Sequence, residues 1–150
     1  MSSFVTAGAG FLVAVLWFDL MHDVQVLRTS DDELPKAILG SIAGYYRRVT
    51  TDAFPMNRLV ALVMLSTLGA LVAQLTVGSA PQWISGTGLG LVAAATTLAV
   101  ARTVPSAKRL AQQSDTVRVQ SRLARTIFTD HLMCLGAVLT ALSLELAFGR

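Results

Sequence analysis

Charged side chains are scarce in this sequence. They make up 14% of its 150 residues, whereas soluble domains contain about 25%. Cysteine occurs once, as Cys134, so the chain forms no intramolecular disulfide bond, and no Cys and His residues lie at the spacing of a zinc site. Walker loops, Gly-x-Ser-x-Gly elbows and Cys-x-x-Cys motifs are also absent from the sequence, which leaves no signature of a nucleotide-binding protein, a serine hydrolase or a dithiol redox protein.

Long apolar runs take the place of these features, and 53% of the residues are hydrophobic. Residues 1–18 and 59–101 contain no charged side chain. As one helix, the second run would extend roughly 64 Å at 1.5 Å per residue, about twice the thickness of a bilayer core. It must therefore fold back once, and Gly78-Ser79-Ala80-Pro81 has the composition of that turn.

The sequence predicts an all-α membrane protein, a four-transmembrane-helix bundle in one integral membrane domain of residues 1–150. A soluble bundle would need a polar face on each helix, and the second and third segments offer only Ser, Thr and Gln for one. Met1-Ser2-Ser3 lacks the basic start of a signal peptide, so we expect the first segment to be retained as a helix. The predicted spans are about 4–22, 56–77, 82–103 and 127–148.

The basic residues concentrate in the first and third connections between these spans. Positively charged loops stay in the cytoplasm, so the pattern predicts a bacterial inner-membrane protein with both termini outside and two cytoplasmic loops. The net charge of +3 is thereby explained without a nucleic-acid partner, and membrane lipid is the expected contact of the loops. These basic residues are Arg28, Lys36, Arg47, Arg48 and Arg58 in the first loop, and Arg102, Lys108, Arg109, Arg118, Arg122 and Arg125 in the second.

Both loops also contain predicted helices. In the first loop, apolar residues from Ile38 to Val49 recur at three- and four-residue spacing, which predicts a short amphipathic helix. We expect this helix to lie on the membrane surface, the alternative being that it docks a partner. Residues 30–33 and Thr51-Asp52 have the composition of helix caps, and Asp115 is expected to cap a long helix from about 116 to 148.

Small residues occur in every predicted span, and in lipid such residues let helices pack closely. Packing within the bundle is the first interpretation of these positions. Packing against further copies of the chain or against other membrane subunits is the second, because four helices cannot bury every small face internally. The predicted packing residues are Gly10, Gly69, Gly86, Gly90 and Gly136.

Ionisable residues within the spans are the main functional lead, since such groups are costly in a membrane. One group lies at i, i+3 and i+4 on a single face of the first helix, and the other lies close together on the fourth helix. Both groups are near the predicted cytoplasmic ends of their helices. The candidates are Asp19, His22 and Asp23 on the first helix and Asp130, His131 and Cys134 on the fourth.

Several interpretations of this cluster stay open. The first is a structural network in which Asp19 and Asp130 pair with arginines (Arg58, Arg102, Arg122 or Arg125) and the histidines are satisfied within it. The second is a transition-metal site built from the six candidates. The third is a haem b site with His22 and His131 as axial ligands. Proton or substrate transport is the fourth.

Gln74 and Glu145 form a second polar pair, each roughly one turn inside the predicted outer end of its helix. They are expected to hydrogen-bond across the bundle. A small four-helix transporter would need its coupling carboxylate deep in the membrane. Asp19 and Glu145 both lie near helix ends, which weakens the transporter interpretation.

The segment Trp17-Phe18-Asp19-Leu20-Met21-His22-Asp23-Val24-Gln25 is distinctive, and the chain as a whole resembles small four-helix bacterial membrane proteins of unassigned function. In topology it also loosely resembles the anthrone-oxygenase-like group. The resemblance covers the membrane region, carries over no catalytic residue and implies oxygenase-type activity only as an alternative.

The leading prediction from sequence is a non-catalytic inner-membrane bundle, either a homo-oligomer or an accessory subunit of a membrane complex. The alternatives are a metal- or haem-dependent membrane redox enzyme that uses the cluster of candidates, and a small transporter.

Overall fold

The structure is a computed structural model that describes residues 2–78 and 80–149. Met1 of the uncharged start and Ser79 of the predicted turn lie outside the described residues. The described chain is helical without a strand, and four of its helices are long and apolar enough to cross a membrane. The predicted fold class is therefore confirmed.

Six α-helices follow one another along the chain, and three short helical turns extend them. A 3-10 turn, Val24–Arg28, continues α1, and a π-helical turn, Arg48–Asp52, continues α2. Another π-helical turn, Ala99–Thr103, joins α4 to α5, so the third apolar helix runs on to Gln112 instead of ending near residue 103 as predicted. The helices are α1 Ser2–Asp23, α2 Lys36–Arg47, α3 Met56–Val77, α4 Gln82–Leu98, α5 Val104–Gln112 and α6 Val117–Phe148.

The four long helices form a ring in which α1 packs between α3 and α6, and α4 packs between the same two helices. Two apolar clusters fill this bundle. One contains Val5, Leu71, Val92 and Ala141, and the other contains Ala9, Leu12, Ala95, Cys134 and Val138. The first and last helices of the chain are therefore neighbours, which is the arrangement that brings the predicted candidate residues together.

A third apolar cluster lies beyond the bundle, where α2 packs against α5 and the first turns of α6. We call α2, α5 and residues 117–127 of α6 the cap. Leu39, Ile42 and Tyr46 of α2 are buried there against Leu110 and Ile127. The apolar face of α2 is thus covered by protein, because α5 presents a matching apolar face. The expectation that α2 lies on the membrane surface stays a prediction.

The predicted helix caps are wrong. Pro35 and Pro55 occupy the positions before α2 and α3, and neither helix has a side-chain cap. At the start of α6, the carboxylate of Asp115 accepts from the Arg109 guanidinium at 2.8 and 2.9 Å instead of from the helix. Arg109 of α5 therefore pairs with the Asp115 carboxylate, which the sequence spacing alone assigns to the N-terminal cap of α6. The long α6 itself begins within one residue of the prediction.

Two glycines outside the predicted set lie in close contact with a neighbouring helix. A Cβ on Gly8 would meet the Thr67 hydroxyl of α3, and one on Gly88 would lie 3.2 Å from the Leu71 side chain. At each of the five predicted packing glycines, by contrast, an added Cβ would find no atom of a neighbouring helix within 4 Å. The space beside Gly10, Gly69, Gly86, Gly90 and Gly136 is open.

Candidate functional site

The end of the bundle nearest the cap holds a buried carboxylate and histidine cluster. Asp23, the last residue of α1, is fully buried, and its Oδ2 lies 2.6 Å from Nδ1 of His131 on α6. The other ring nitrogen, Nε2, lies 3.8 Å from Oδ2 of Asp19, which stands one turn earlier on α1. One imidazole is therefore placed between two carboxylates of the neighbouring helix.

Two adjacent tyrosines of α2 close this cluster from the cap. The Tyr46 hydroxyl donates to Asp23 Oδ1 at 2.6 Å, and the Tyr45 hydroxyl donates to Asp19 Oδ1, also at 2.6 Å. Burial and the two nearby carboxylates raise the pKa of both phenols above their ordinary range. Both tyrosines therefore stay protonated, as their donor role requires.

His22 lies at the edge of the same cluster and makes different contacts. Its ring stacks on Tyr45 with centroids 3.8 Å apart, and its Nδ1 lies 3.0 Å from the Phe18 carbonyl oxygen. Tyr45 in turn meets the edge of Tyr46, and Tyr46 is tilted against His131. The two histidines thus belong to one row of rings in which two tyrosines stand between them.

Asp130 of α6 is fully buried and has its own partners. The Arg102 guanidinium pairs with both carboxylate oxygens, with Nε 3.0 Å from Oδ2. The hydroxyl of the adjacent Thr103 donates to Oδ2 at 3.1 Å. Both partners lie in the π-helical turn Ala99–Thr103, and π-helical turns are frequent at functional sites.

Cys134 lies outside this polar cluster. Its thiol points to the Ala95 carbonyl oxygen at 3.6 Å and belongs to an apolar cluster of the bundle. Among residues 2–78 and 80–149, no group of three or more His, Cys, Asp or Glu side chains is placed to hold a metal ion. Both nitrogens of His131 face carboxylates, which leaves neither directed at an open ligand position. The metal and haem hypotheses gain no support from this geometry and stay predictions.

The arrangement agrees best with the structural interpretation of the cluster. The predicted pairing of Asp130 with an arginine is present and involves Arg102. Asp19 pairs instead with Tyr45 and His131, and the predicted set of arginine partners does not reach it. Sequence reasoning missed both tyrosines as partners, although a buried tyrosine hydroxyl usually needs an acceptor and α2 places two on its apolar side.

Gln74 and Glu145 form the expected hydrogen bonds at the far end of the bundle. The Gln74 amide nitrogen donates to Glu145 at 3.0 and 3.1 Å, and the Ser2 hydroxyl adds a contact at 3.4 Å. Gln74 and Glu145 are both nearly inaccessible to solvent. The two apolar clusters lie between this pair and the cluster around His131, so the two polar ends are separated by an apolar interior.

No family model matches the chain, and neither does any curated protein or solved structure. The resemblance to small four-helix membrane proteins is therefore limited to the number, length and apolar character of the helices.

Proposed function

We propose that this chain is a non-catalytic bundle of the bacterial inner membrane that associates with further transmembrane helices, as a homo-oligomer or as an accessory subunit. The observation that carries the proposal is the open space beside the small residues on its outer faces. Gly69, Gly90 and Gly136 are exposed on three different helices, and nothing in the bundle packs against them. In lipid, glycines at such positions let the backbone of another helix approach closely.

The buried cluster supports the same proposal from the inside of the molecule. Asp23, His131 and Tyr46 satisfy one another, and Asp130 is satisfied by Arg102 and Thr103. Buried polar groups that are fully paired hold a fold in one arrangement. The cluster joins α1, α2 and α6, so its role in this proposal is to fix the cap on the bundle.

Subunit counting in native membrane discs tests the association. Fluorescently labelled protein is extracted into discs with a copolymer and without detergent, and the photobleaching steps of each disc are counted. We expect more than one step per disc, or a second membrane protein present in stoichiometric amount. Gly90→Leu and Gly136→Leu should weaken that association, because each adds a side chain where the partner helix approaches. A Cβ at either position meets no atom of a neighbouring helix within 4 Å in one chain.

Ala61→Leu on α3 is the matched control, because Ala61 is likewise an exposed small residue. A thermal unfolding midpoint for each variant separates lost association from lost folding. A single copy per disc without a co-purifying membrane protein would contradict the proposal.

The proposal includes an orientation with both termini outside and the cap in the cytoplasm. The basic residues of the connections between α1 and α3 and between α4 and α6 support it, because cytoplasmic loops are enriched in Lys and Arg. Cysteine labelling from each side of the membrane tests it, in a Cys134→Ala background, at Ser2→Cys and Ser114→Cys. Outer access at residue 2 and cytoplasmic access at residue 114 are expected, and the reverse pattern refutes the orientation.

A further inference from the structure

A cavity of about 440 Å³ lies beside the cap and is lined by four arginines. Arg118, Arg122 and Arg125 come from one side of α6, at i, i+4 and i+7, and Arg102 comes from the end of the π-helical turn after α4. The four further lining residues carry hydroxyls or carboxylates: Thr126, Thr129, Asp32 and Asp130. The volume is within the range of about 300–1,000 Å³ that small-molecule sites occupy.

The positive charge of this cavity is only partly compensated. Arg102 is paired with Asp130, and Arg118 lies 3.6 Å from the exposed Glu33 carboxylate. Arg125 donates to the backbone carbonyl oxygens of Asp31 and Asp32. These carbonyl groups carry no net charge and do not neutralise the guanidinium. Within the described part of the chain, no carboxylate forms an ion pair with Arg122.

We propose that this arginine cavity binds a phosphate group. Guanidinium groups present paired N–H donors that match the oxygens of a phosphate, and several arginines converging on one space are suited to a multiply charged anion. Arg102 retains unused N–H donors after its contacts with Asp130, because a guanidinium has five of them. Thr126 adds a hydroxyl donor to the same wall, whereas the Thr129 hydroxyl already donates to the Arg125 carbonyl oxygen at 3.0 Å.

The neighbouring surface favours a lipid as the source of that phosphate. A second cavity of about 740 Å³ shares Arg125 and Thr129 with the first. Its wall combines the apolar side chains of Val26, Leu27 and Phe128 with the polar residues Arg28, Thr29 and Ser30. A molecule that places its phosphate among the arginines thus has three apolar side chains beside it, within a mixed wall. Anionic phospholipids combine a phosphate with apolar acyl chains, whereas glycerol 3-phosphate and inorganic phosphate have no apolar chain.

Native mass spectrometry of the purified full chain, with added short-chain ligands, tests the proposal. The probes are dioctanoyl phosphatidic acid, dioctanoyl phosphatidylcholine, glycerol 3-phosphate and inorganic phosphate. We expect phosphatidic acid to bind most tightly, because the choline cation of phosphatidylcholine opposes the arginines. Arg122→Gln should weaken phosphatidic acid binding about tenfold, as the loss of one charge-assisted contact predicts.

Two further variants test whether the loss of binding is specific to the guanidinium group of Arg122. Arg122→Lys retains the charge without the paired donors and should restore binding only in part. Lys108→Gln removes an exposed cation of α5 outside the cavity and should leave binding unchanged. A thermal midpoint for each variant shows that the fold is retained.

The ligand arms then distinguish the two sources of phosphate. Binding of phosphatidic acid without glycerol 3-phosphate or inorganic phosphate supports a lipid headgroup. Equal binding of the soluble phosphates, with the same dependence on Arg122, supports a phosphorylated metabolite in the same site. Binding that is as strong in Arg122→Gln as in Lys108→Gln, or no binding by any probe, overturns the proposal.

Discussion

His131 Nδ1 lies 2.6 Å from Asp23 Oδ2, and this buried contact joins the last long helix of the chain to the first. The two residues are far apart in sequence, and each also reaches α2 through Tyr46. One polar contact therefore fixes the relative positions of α1, α2 and α6.

Removing this imidazole should destabilise the protein. In His131→Ala, Asp23 remains buried with Tyr46 as its one strong partner, and we expect the free energy of unfolding to fall by about 2 kcal/mol or more. Unfolding in detergent, followed by circular dichroism during SDS titration, measures the change. His22→Ala is the matched control, because His22 stacks on Tyr45 but lies outside the buried pair. Equal effects of the two substitutions would show that the buried pair does not fix the helices.

The two tyrosines should resist ionisation while the protein is folded. Tyr45 and Tyr46 are the only tyrosines in the chain, and burial together with Asp19 and Asp23 raises the pKa of both. Absorbance near 295 nm should therefore show no phenolate at pH 10–11 in the folded protein, and phenolate should form after unfolding. Phenolate that forms near pH 10 in the folded protein would contradict the buried donor role.

The same shift makes stability depend on pH in a defined direction. Below about pH 10 the phenols are protonated in both the folded and the unfolded chain, and the stabilisation is fully present. Above that pH the unfolded chain loses protons that the folded chain keeps, so stability falls as pH rises. For Tyr46 the loss is about 1.4 kcal/mol per pH unit. Tyr46→Phe should reduce this slope.

Arg102 should contribute more to stability than a similar arginine on the surface. In Arg102→Gln, the Thr103 hydroxyl is the remaining partner of the fully buried Asp130 carboxylate. Because this hydroxyl is uncharged, the buried negative charge is left without a counter-ion. Arg109→Gln is the control, because Arg109 makes a comparable ion pair with Asp115 at the exposed end of α5. Surface pairs of this kind add little stability. The thermal unfolding midpoint should fall clearly for the first variant and hardly change for the second, and the opposite order would refute this ranking.

The helices could be predicted from the sequence because each one is marked by many consecutive apolar residues. Uncharged runs fixed the number of spans, and α6 begins at Val117 where the last turn signal ends. The pairing of α2 with α5 was not predictable in the same way. An apolar helix face such as that of Leu39 and Ile42 looks the same whether lipid or protein covers it.

The acidic residues and the histidine of the site could be predicted from the sequence. The side chains that pair with them could not. Asp19, Asp23 and His131 were found because ionisable groups are rare in an apolar helix. Tyr45 and Tyr46 were missed because their contacts depend on where the cap folds back. Arg102 was one of several equivalent arginines until the packing of α4 on α6 selected it.

The far polar pair supplies a test of whether buried polar contacts stabilise this bundle or only specify it. Gln74→Leu leaves the buried Glu145 carboxylate with the Ser2 hydroxyl alone and should lower the free energy of unfolding by about 1–3 kcal/mol. Glu145→Met removes the carboxylate, and the double substitution Gln74→Leu with Glu145→Met should regain much of the loss, because a well-packed apolar pair costs no desolvation. SDS titration of all four proteins closes the double-mutant cycle. Additive losses in the double variant would mean that Gln74 and Glu145 contribute independently, which the two hydrogen bonds between them argue against.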